Sequence, residues 1–157
     1  MTVATLTKDL SAALDAANVT GYTLAEEGSL GLVLRIPVEA NRAVMDALRQ
    51  HPDLAFVQLI DTFGADVRDL VEVTYRLRSL KLNADLLVKT ELPYGATLPS
   101  VSTTFVSALL AERELCELFG LALTGHPNPK RLLTTEGLPP FLRKEVAIRT
   151  KEELWTM

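Results

Sequence analysis

The chain predicts an α+β fold: helices packed on one mostly antiparallel or mixed sheet, followed by an extended Pro/Gly-rich C-terminal tail. Three observations lead there. Apolar residues recur at three- and four-residue spacing in three separate segments, the signature of helices with one buried face. Between those segments the pattern switches to alternation. It is clearest over Asp69–Ser79, where Val71, Val73, Tyr75 and Leu77 face one way and Glu72, Thr74, Arg76 and Arg78 the other. Beyond Gly120, the residues Gly125, Pro127, Pro129, Gly137, Pro139 and Pro140 forbid long helices or strands. The expected division is an α+β domain over 1–120 and a tail for partner contact over 121–157.

The elements follow in order. Leu6, Leu10, Ala13, Leu14 and Ala17 make the apolar face of a first helix, stopped near Asn18 and Gly21. Two short strands, Thr20–Glu26 and Leu30–Ile36, flank the turn Glu27-Gly28-Ser29 as a hairpin. After Pro37 a second helix places Val38, Asn41, Val44, Met45 and Leu48 on one face. It ends near His51-Pro52, because a residue before proline disfavours the helical region. Strands are expected at Ala55–Asp61, Asp69–Ser79 and Asn83–Leu92. A turn-rich link, Leu92–Ala96, leads to a last helix at about Ser102–Phe119.

Composition bounds the function. The sequence has 157 residues, which suits one core, with 48% hydrophobic and 23% charged residues. The formal net charge of -4, from 16 basic and 20 acidic residues, argues against nucleic-acid binding and offers no polybasic tract for anionic lipid. No run approaches the roughly 20 apolar residues that span a bilayer. The start, Met1–Asp9, lacks the basic and apolar regions of a signal peptide, so a cytoplasmic location is expected, with membrane association only through a partner. One cysteine, Cys116, rules out an internal disulfide, a four-cysteine zinc site or a self-contained iron–sulfur cluster. No phosphate-binding glycine loop, dinucleotide fingerprint or serine elbow is present.

The last helix holds the informative residues. On a wheel of about 100° per residue, Phe105, Ala108, Leu109, Ala111, Leu115, Cys116 and Phe119 form one broad face, and Glu112 falls in its middle. A carboxylate there is costly unless it is paired or hydrogen-bonded. Burial with a dedicated partner is therefore expected, with Lys130, Arg131, Arg143, Lys144 or backbone donors of the Gly/Pro-rich loop as candidates. The competing readings are an edge position reaching water, and a chemical role. Arg113, Glu114 and Glu117 point elsewhere, with Arg113 and Glu117 read as an i,i+4 pair. Cys116 reads as a small core hydrophobe. His126, in the turn Gly125-His126-Pro127, reads as a backbone hydrogen-bonding histidine rather than a metal ligand.

These residues also carry a resemblance. Glu112–Leu121, Gly125–Leu133 and Leu142-Arg143-Lys144-Glu145 resemble the signature of the 30-kilodalton subunit of proton-translocating NADH–quinone oxidoreductase (respiratory complex I), with relatives in membrane-bound energy-converting hydrogenases. Val73–Leu80 and Leu98-Pro99-Ser100-Val101 resemble further blocks of it. The family-signature and structural residues are Glu112, Arg113, Glu114, Glu117, Gly120, His126, Pro127, Arg131, Arg143 and Lys144. The chain departs from the pattern at Leu110 and Ala111, where aromatics are usual, and at Cys116, Glu117 and Asn128-Pro129.

The resemblance implies a non-catalytic subunit of a peripheral arm, with no catalytic, cofactor or metal site of its own. Iron–sulfur clusters and NiFe or quinone sites are then expected in partner subunits. The implied partners are the large hydrogenase-like chain and the iron–sulfur subunits of that arm, at the cytoplasmic face of the inner membrane. The tail carries Leu132, Leu133, Leu138, Phe141 and Leu142, more apolar groups than a free tail exposes, and is expected to be an interface. The alternative for the tail is that it folds back on its own domain. The alternatives for function are the equivalent hydrogenase subunit, a small enzyme using Glu112 or Glu114 as a general base, and a free-standing binding module.

Overall fold

A computed structural model describes residues 3–147; the remainder of the expected tail, 148–157, lies outside the described residues. The alternation found in the sequence builds a five-stranded mixed sheet in the order β1-β2-β5-β4-β3. Its strands are β1 (Thr23–Glu27), β2 (Gly31–Arg35), β3 (Gln58–Val67), β4 (Leu70–Ser79) and β5 (Ala84–Pro93). Every pairing is antiparallel except β2 with β5. In β4, an interior strand of the sheet, Val71, Val73, Tyr75 and Leu77 are fully buried on the inner face, as the pattern requires. They stand opposite Leu92, Thr90, Val88 and Leu86 of β5.

Three helices cover that inner face: α1 (Val3–Ala16), α2 (Asn41–Gln50) and α3 (Ala108–Phe119). Helices α1 and α2 pack together, and α3 lies over β3. Leu10, Leu14, Val44, Met45 and Leu48 are the fully buried anchors of the first two. The close approach of α3 depends on Gly64 of β3, where a Cβ would sit 2.7 Å from the Phe119 ring. The outer face of the sheet bears no helix among the described residues and is laced by ion pairs, Lys89–Glu72 at 2.7 Å, Arg76–Asp85 at 2.6 Å and Arg78–Asp85 at 2.8 Å.

Two boundaries differ most from the sequence reading. The strand expected at Ala55–Asp61 runs instead over Gln58–Val67. Residues 52–57 turn back onto α2, with the Phe56 N–H donating to the Leu48 carbonyl, and Ala55 adopts a positive φ of 43°. The strand then continues past Asp61 through a register shift between Leu59 and Asp61. Such a bulge inverts the alternation, so the inward positions become Thr62, Gly64 and Asp66, none of them apolar enough to signal a strand.

The last helix starts at Ala108, not Ser102. Residues 101–107 form successive turns, with the Thr104 and Phe105 N–H groups both donating to the Val101 carbonyl. The hydroxyls of this Ser/Thr-rich stretch are engaged elsewhere. The Ser102 N–H donates to Ser100 Oγ, and the Thr104 hydroxyl bonds to Asp46, so the regular helical ladder is delayed. A further feature absent from the sequence reading is a two-stranded parallel pair, β6 (Thr97–Pro99) with β7 (Ala122–Thr124). It ties the chain just before α3 to the chain just after it.

Candidate functional site

Helix α3 projects its charged side chains in three directions, and each meets a different surrounding. Inward, Glu112 is completely buried. Its carboxylate accepts three hydrogen bonds: from the Ser100 hydroxyl at 2.6 Å, the Val101 N–H at 2.9 Å and the Tyr75 hydroxyl at 3.2 Å. Asn41 extends the network, its side-chain amide donating to Tyr75 Oη at 3.2 Å and to the Pro99 carbonyl at 2.9 Å. Ser100 and Val101 reach Glu112 because β6 and β7 hold residues 97–101 beside the helix, with the Ser100 N–H on the Thr124 carbonyl. Burial raises the Glu112 pKa, opposed by these three donors and by nearby His126. Burial and the adjacent carboxylate push Tyr75 well above the ordinary phenol value. Burial likewise pushes the Cys116 thiol up, away from thiolate chemistry.

The expectation of a buried, partnered Glu112 is met, but not by the tail cations proposed for it. Lys130, Arg131, Arg143 and Lys144 make no hydrogen bond or ion pair with Glu112; hydroxyls and one backbone N–H serve instead. A buried carboxylate held by neutral donors needs no buried cation, whose own desolvation would add to the cost.

Outward, Arg113 and Glu117 do not form the expected i,i+4 pair. Arg113 donates to the carbonyls of Lys130 at 2.7 Å and Arg131 at 3.0 Å. Glu117 accepts from the backbone N–H groups of Leu132, Leu133 and Thr134. One side chain binds carbonyls and its neighbour a turn later binds amides, so the pair grips a stretch of tail backbone from both polarities. Burial works against the Glu117 charge, but the Thr134 hydroxyl and the three amides outweigh it and hold the carboxyl down to about 2. Arg131 bonds the Thr134 hydroxyl at 2.6 Å and the Leu138 carbonyl at 3.2 Å, with Glu117 3.9 Å away.

At the helix C-terminus, Gly120 takes the left-handed conformation, φ 68°, ψ 37°. Arg143 returns from the tail to donate to the Phe119 carbonyl at 2.7 Å and the Gly120 carbonyl at 3.0 Å, while its guanidinium stacks 4.3 Å from the Tyr94 ring centre. Gly120 is needed twice over, because a Cβ would lie 2.5 Å from Arg143 Nη2. Lys144 contributes its backbone rather than its charge. Its N–H donates to Asp66 at 2.7 Å, and Asp66 also accepts the Tyr94 hydroxyl at 2.5 Å. The Tyr94 hydroxyl, then the Lys144 amide, lower the Asp66 carboxyl; the same bond raises Tyr94 to about 12.

His126 bonds backbone on both nitrogens, Nε2 to the Leu109 carbonyl at 2.9 Å and Nδ1 accepting from the Asn128 N–H at 3.0 Å. That pattern needs the Nε2 tautomer, and the backbone bonding is what the turn context suggested. Pro127, exposed, occupies the turn between His126 and Asn128. Glu114 is the exception among the charged site residues: it is exposed and makes no hydrogen bond or ion pair among the described residues. No group of three His, Cys, Asp or Glu side chains among the described residues could hold a metal ion. No helix among them is long and apolar enough to cross a membrane.

Sequence reasoning missed Asn41, Tyr75, Ser100, Asp66 and Tyr94 as site residues. A signal existed for two of them. Asn41 interrupts the apolar face of α2, and Tyr75 brings a hydroxyl into the apolar face of β4. Both are buried polar groups that demand partners.

The fold has a counterpart among solved structures. A chain of the membrane-bound sulfane sulfur reductase, an archaeal respiratory membrane complex, superposes with a TM-score of 0.62, covering 76% of this chain and 70% of that one at 21% identity. Residues 34–152 match the family described as respiratory-chain NADH dehydrogenase, 30 Kd subunit, and the chain belongs to that family. Among its relatives is an NADH-quinone oxidoreductase subunit of Rhodopseudomonas palustris strain TIE-1, 37% identical over 118 residues, 71% of this chain and 58% of the relative. The same subunit of Azorhizobium caulinodans is 38% identical over 117 residues, 68% of this chain and 56% of the relative. That of Rickettsia bellii is 36% identical over 107 residues, 64% and 54%. The chain thus spans little more than half the length of these relatives.

Proposed function

We propose that this chain is a non-catalytic peripheral-arm subunit of a proton-translocating NADH–quinone oxidoreductase, or complex I-like, assembly, where it positions neighbouring electron-transfer subunits. One observation supports this above others. Four of the signature residues spend their charged groups on the chain's own architecture: Glu112 on the β6–α3 junction, Arg113 and Glu117 on the tail backbone, Arg143 on the end of α3. A general base needs access to a substrate proton, and the Glu112 carboxylate is enclosed. On this reading the iron–sulfur clusters and the quinone or NiFe site reside in partner subunits, chiefly the large hydrogenase-like chain. The chain then meets the cytoplasmic face of the inner membrane only through the complex.

Affinity purification of the tagged full chain from its native membranes, with mass spectrometry of what accompanies it, tests the proposal. Iron–sulfur subunits and a hydrogenase-like large subunit are expected, and the identity of the large subunit separates a quinone reductase from an energy-converting hydrogenase. Recovery of the chain alone from the soluble fraction, with turnover by the purified chain, overturns the proposal in favour of a small enzyme.

A further inference from the structure

We infer that a cleft at the start of β3 docks an acidic, apolar segment of a partner subunit, one that sets a carboxylate beside a large apolar side chain. The inference rests on the assembly role above. The cleft encloses about 490 Å³ between the C-terminal end of α2, the first residues of β3 and the turns before α3. Val57, Ile60 and Val106 line it and are 44%, 46% and 73% exposed. Exposed apolar side chains gathered in one concavity mark a contact surface, where single scattered ones do not.

Arg49 is the one charged side chain among the described residues that line the cleft. Its guanidinium lies 5.3 Å from the centre of the Phe105 ring, and Phe105 is buried, so the cation rests on a fixed platform. It makes no hydrogen bond or ion pair among the described residues. The end of α2 does not need it as a cap: the Ala47 carbonyl accepts the His51 N–H, and the Leu48 carbonyl accepts the Phe56 N–H. Asp46, the one acidic residue of α2, is engaged by the Thr104 hydroxyl and by Arg42. A guanidinium fork with its donors unspent selects a carboxylate, which it can bind through two parallel N–H groups. The apolar lining selects the side chain next to that carboxylate. A free anion would meet Arg49 but leave Val57 and Val106 in water. A second copy docked about a two-fold axis here would bring two Arg49 guanidinium groups into one apolar contact.

The test uses the full chain in its native membranes. Arg49→Glu sets a carboxylate against the incoming carboxylate and should lower recovery with the complex about tenfold or more. Lys8→Glu, the same reversal at an exposed position of α1, should stay near the wild-type level. Val106→Glu places a carboxylate of the chain's own in the cleft and should cause a comparable loss. Thermal unfolding of each purified variant within a few degrees of wild type separates these losses from misfolding, and Val106→Glu decides the matter where Arg49→Glu does not fold. A photoreactive residue at Val106 should cross-link to a partner segment in which Asp or Glu adjoins a large apolar residue.

Wild-type recovery of a folded Arg49→Glu variant, or of Val106→Glu in its place, overturns the docking site and leaves the assembly role standing. Failure of the wild-type chain itself to co-purify overturns both. A cross-link to a partner segment without an acidic residue, to a second copy, or to residues 148–157 of the same chain assigns the cleft to another occupant and overturns the inference.

Discussion

Helix α3 makes polar contacts on two sides, and the two sides obey different physics. Inside, Glu112, Tyr75, Ser100 and Asn41 form a network sealed from water, where each group depends on the others for its hydrogen bonds. Outside, Arg113, Glu117 and Arg143 hold a tail that is largely exposed, and they bind backbone almost throughout. Burial raises the one carboxyl, Glu112, while hydrogen bonds lower the other, Glu117, although the two lie five residues apart on one helix. The inner set fixes the fold; the outer set fixes where the tail lies. Damage inside should therefore unfold the domain, and damage outside should free the tail while the domain stays folded.

Replacing the central inner group should have the largest effect. Glu112→Ala strands the Ser100 and Tyr75 hydroxyls and the Val101 amide without an acceptor and leaves a cavity, for a loss of about 4 kcal/mol in urea unfolding. Glu112→Gln keeps the shape and one accepting oxygen. From the sequence alone, with a buried cation as partner, the cost of this change would be on the order of 3 kcal/mol or more. With only neutral donors present, it should be about 1–2 kcal/mol. A Gln variant as unstable as the Ala variant would mean that the charge itself holds the network together.

That revision marks where the sequence stopped being legible. The position of Glu112 was readable because one carboxylate interrupts an apolar stripe. Its partners were not, since they arrive through β6 and β7, strands of three residues each that join segments more than twenty positions apart. No periodicity marks elements so short. Arg113 and Glu117 carry the same spacing whether they pair with each other or reach outward together, and only the path of the tail decides. The inner face of β3 was hidden for a third reason: a bulge inverted its alternation and placed Thr62, Gly64 and Asp66 inward. By contrast, the alternation of β4 and the apolar faces of α1 and α2 were read directly, because burial there is regular along the element.

An intermediate effect is expected at the outer clasp. Arg143→Gln removes the guanidinium from the Phe119 and Gly120 carbonyls and from the Tyr94 ring. A loss of about 1 kcal/mol in domain stability should accompany it, since those carbonyls regain water. Limited proteolysis should show the larger change, with cleavage within 126–145 at protease levels that leave the wild-type tail intact. Gly120→Ala should act in the same direction and add the left-handed backbone penalty of about 1–2 kcal/mol, because its Cβ would displace Arg143. Cleavage of the core strands before the tail in either variant would contradict the division between the two sides.

The smallest effect, and the one that separates the two sides most sharply, is pH dependence. The Glu117 carboxyl titrates lower in the folded protein, at about 2, than its ordinary value near 4.5. The folded state thus binds fewer protons than the unfolded chain across that interval, so its contribution is complete above the ordinary value and is lost as pH falls toward 2. Glu112 is displaced the other way. The folded state holds its proton more tightly than the unfolded chain, so its contribution declines as pH rises from the ordinary value through the raised one. Acid should then loosen the tail while easing the strain on the inner network. In NMR titrations the amide signals of Leu132, Leu133 and Thr134 should move together as pH drops below the ordinary carboxylate range, and those of Val101 should not follow them. Glu117→Gln should abolish that movement, because an amide can still accept from the three N–H groups but has no charge to lose. If the three amides shift equally in the variant, the tail is held by something other than the Glu117 carboxylate.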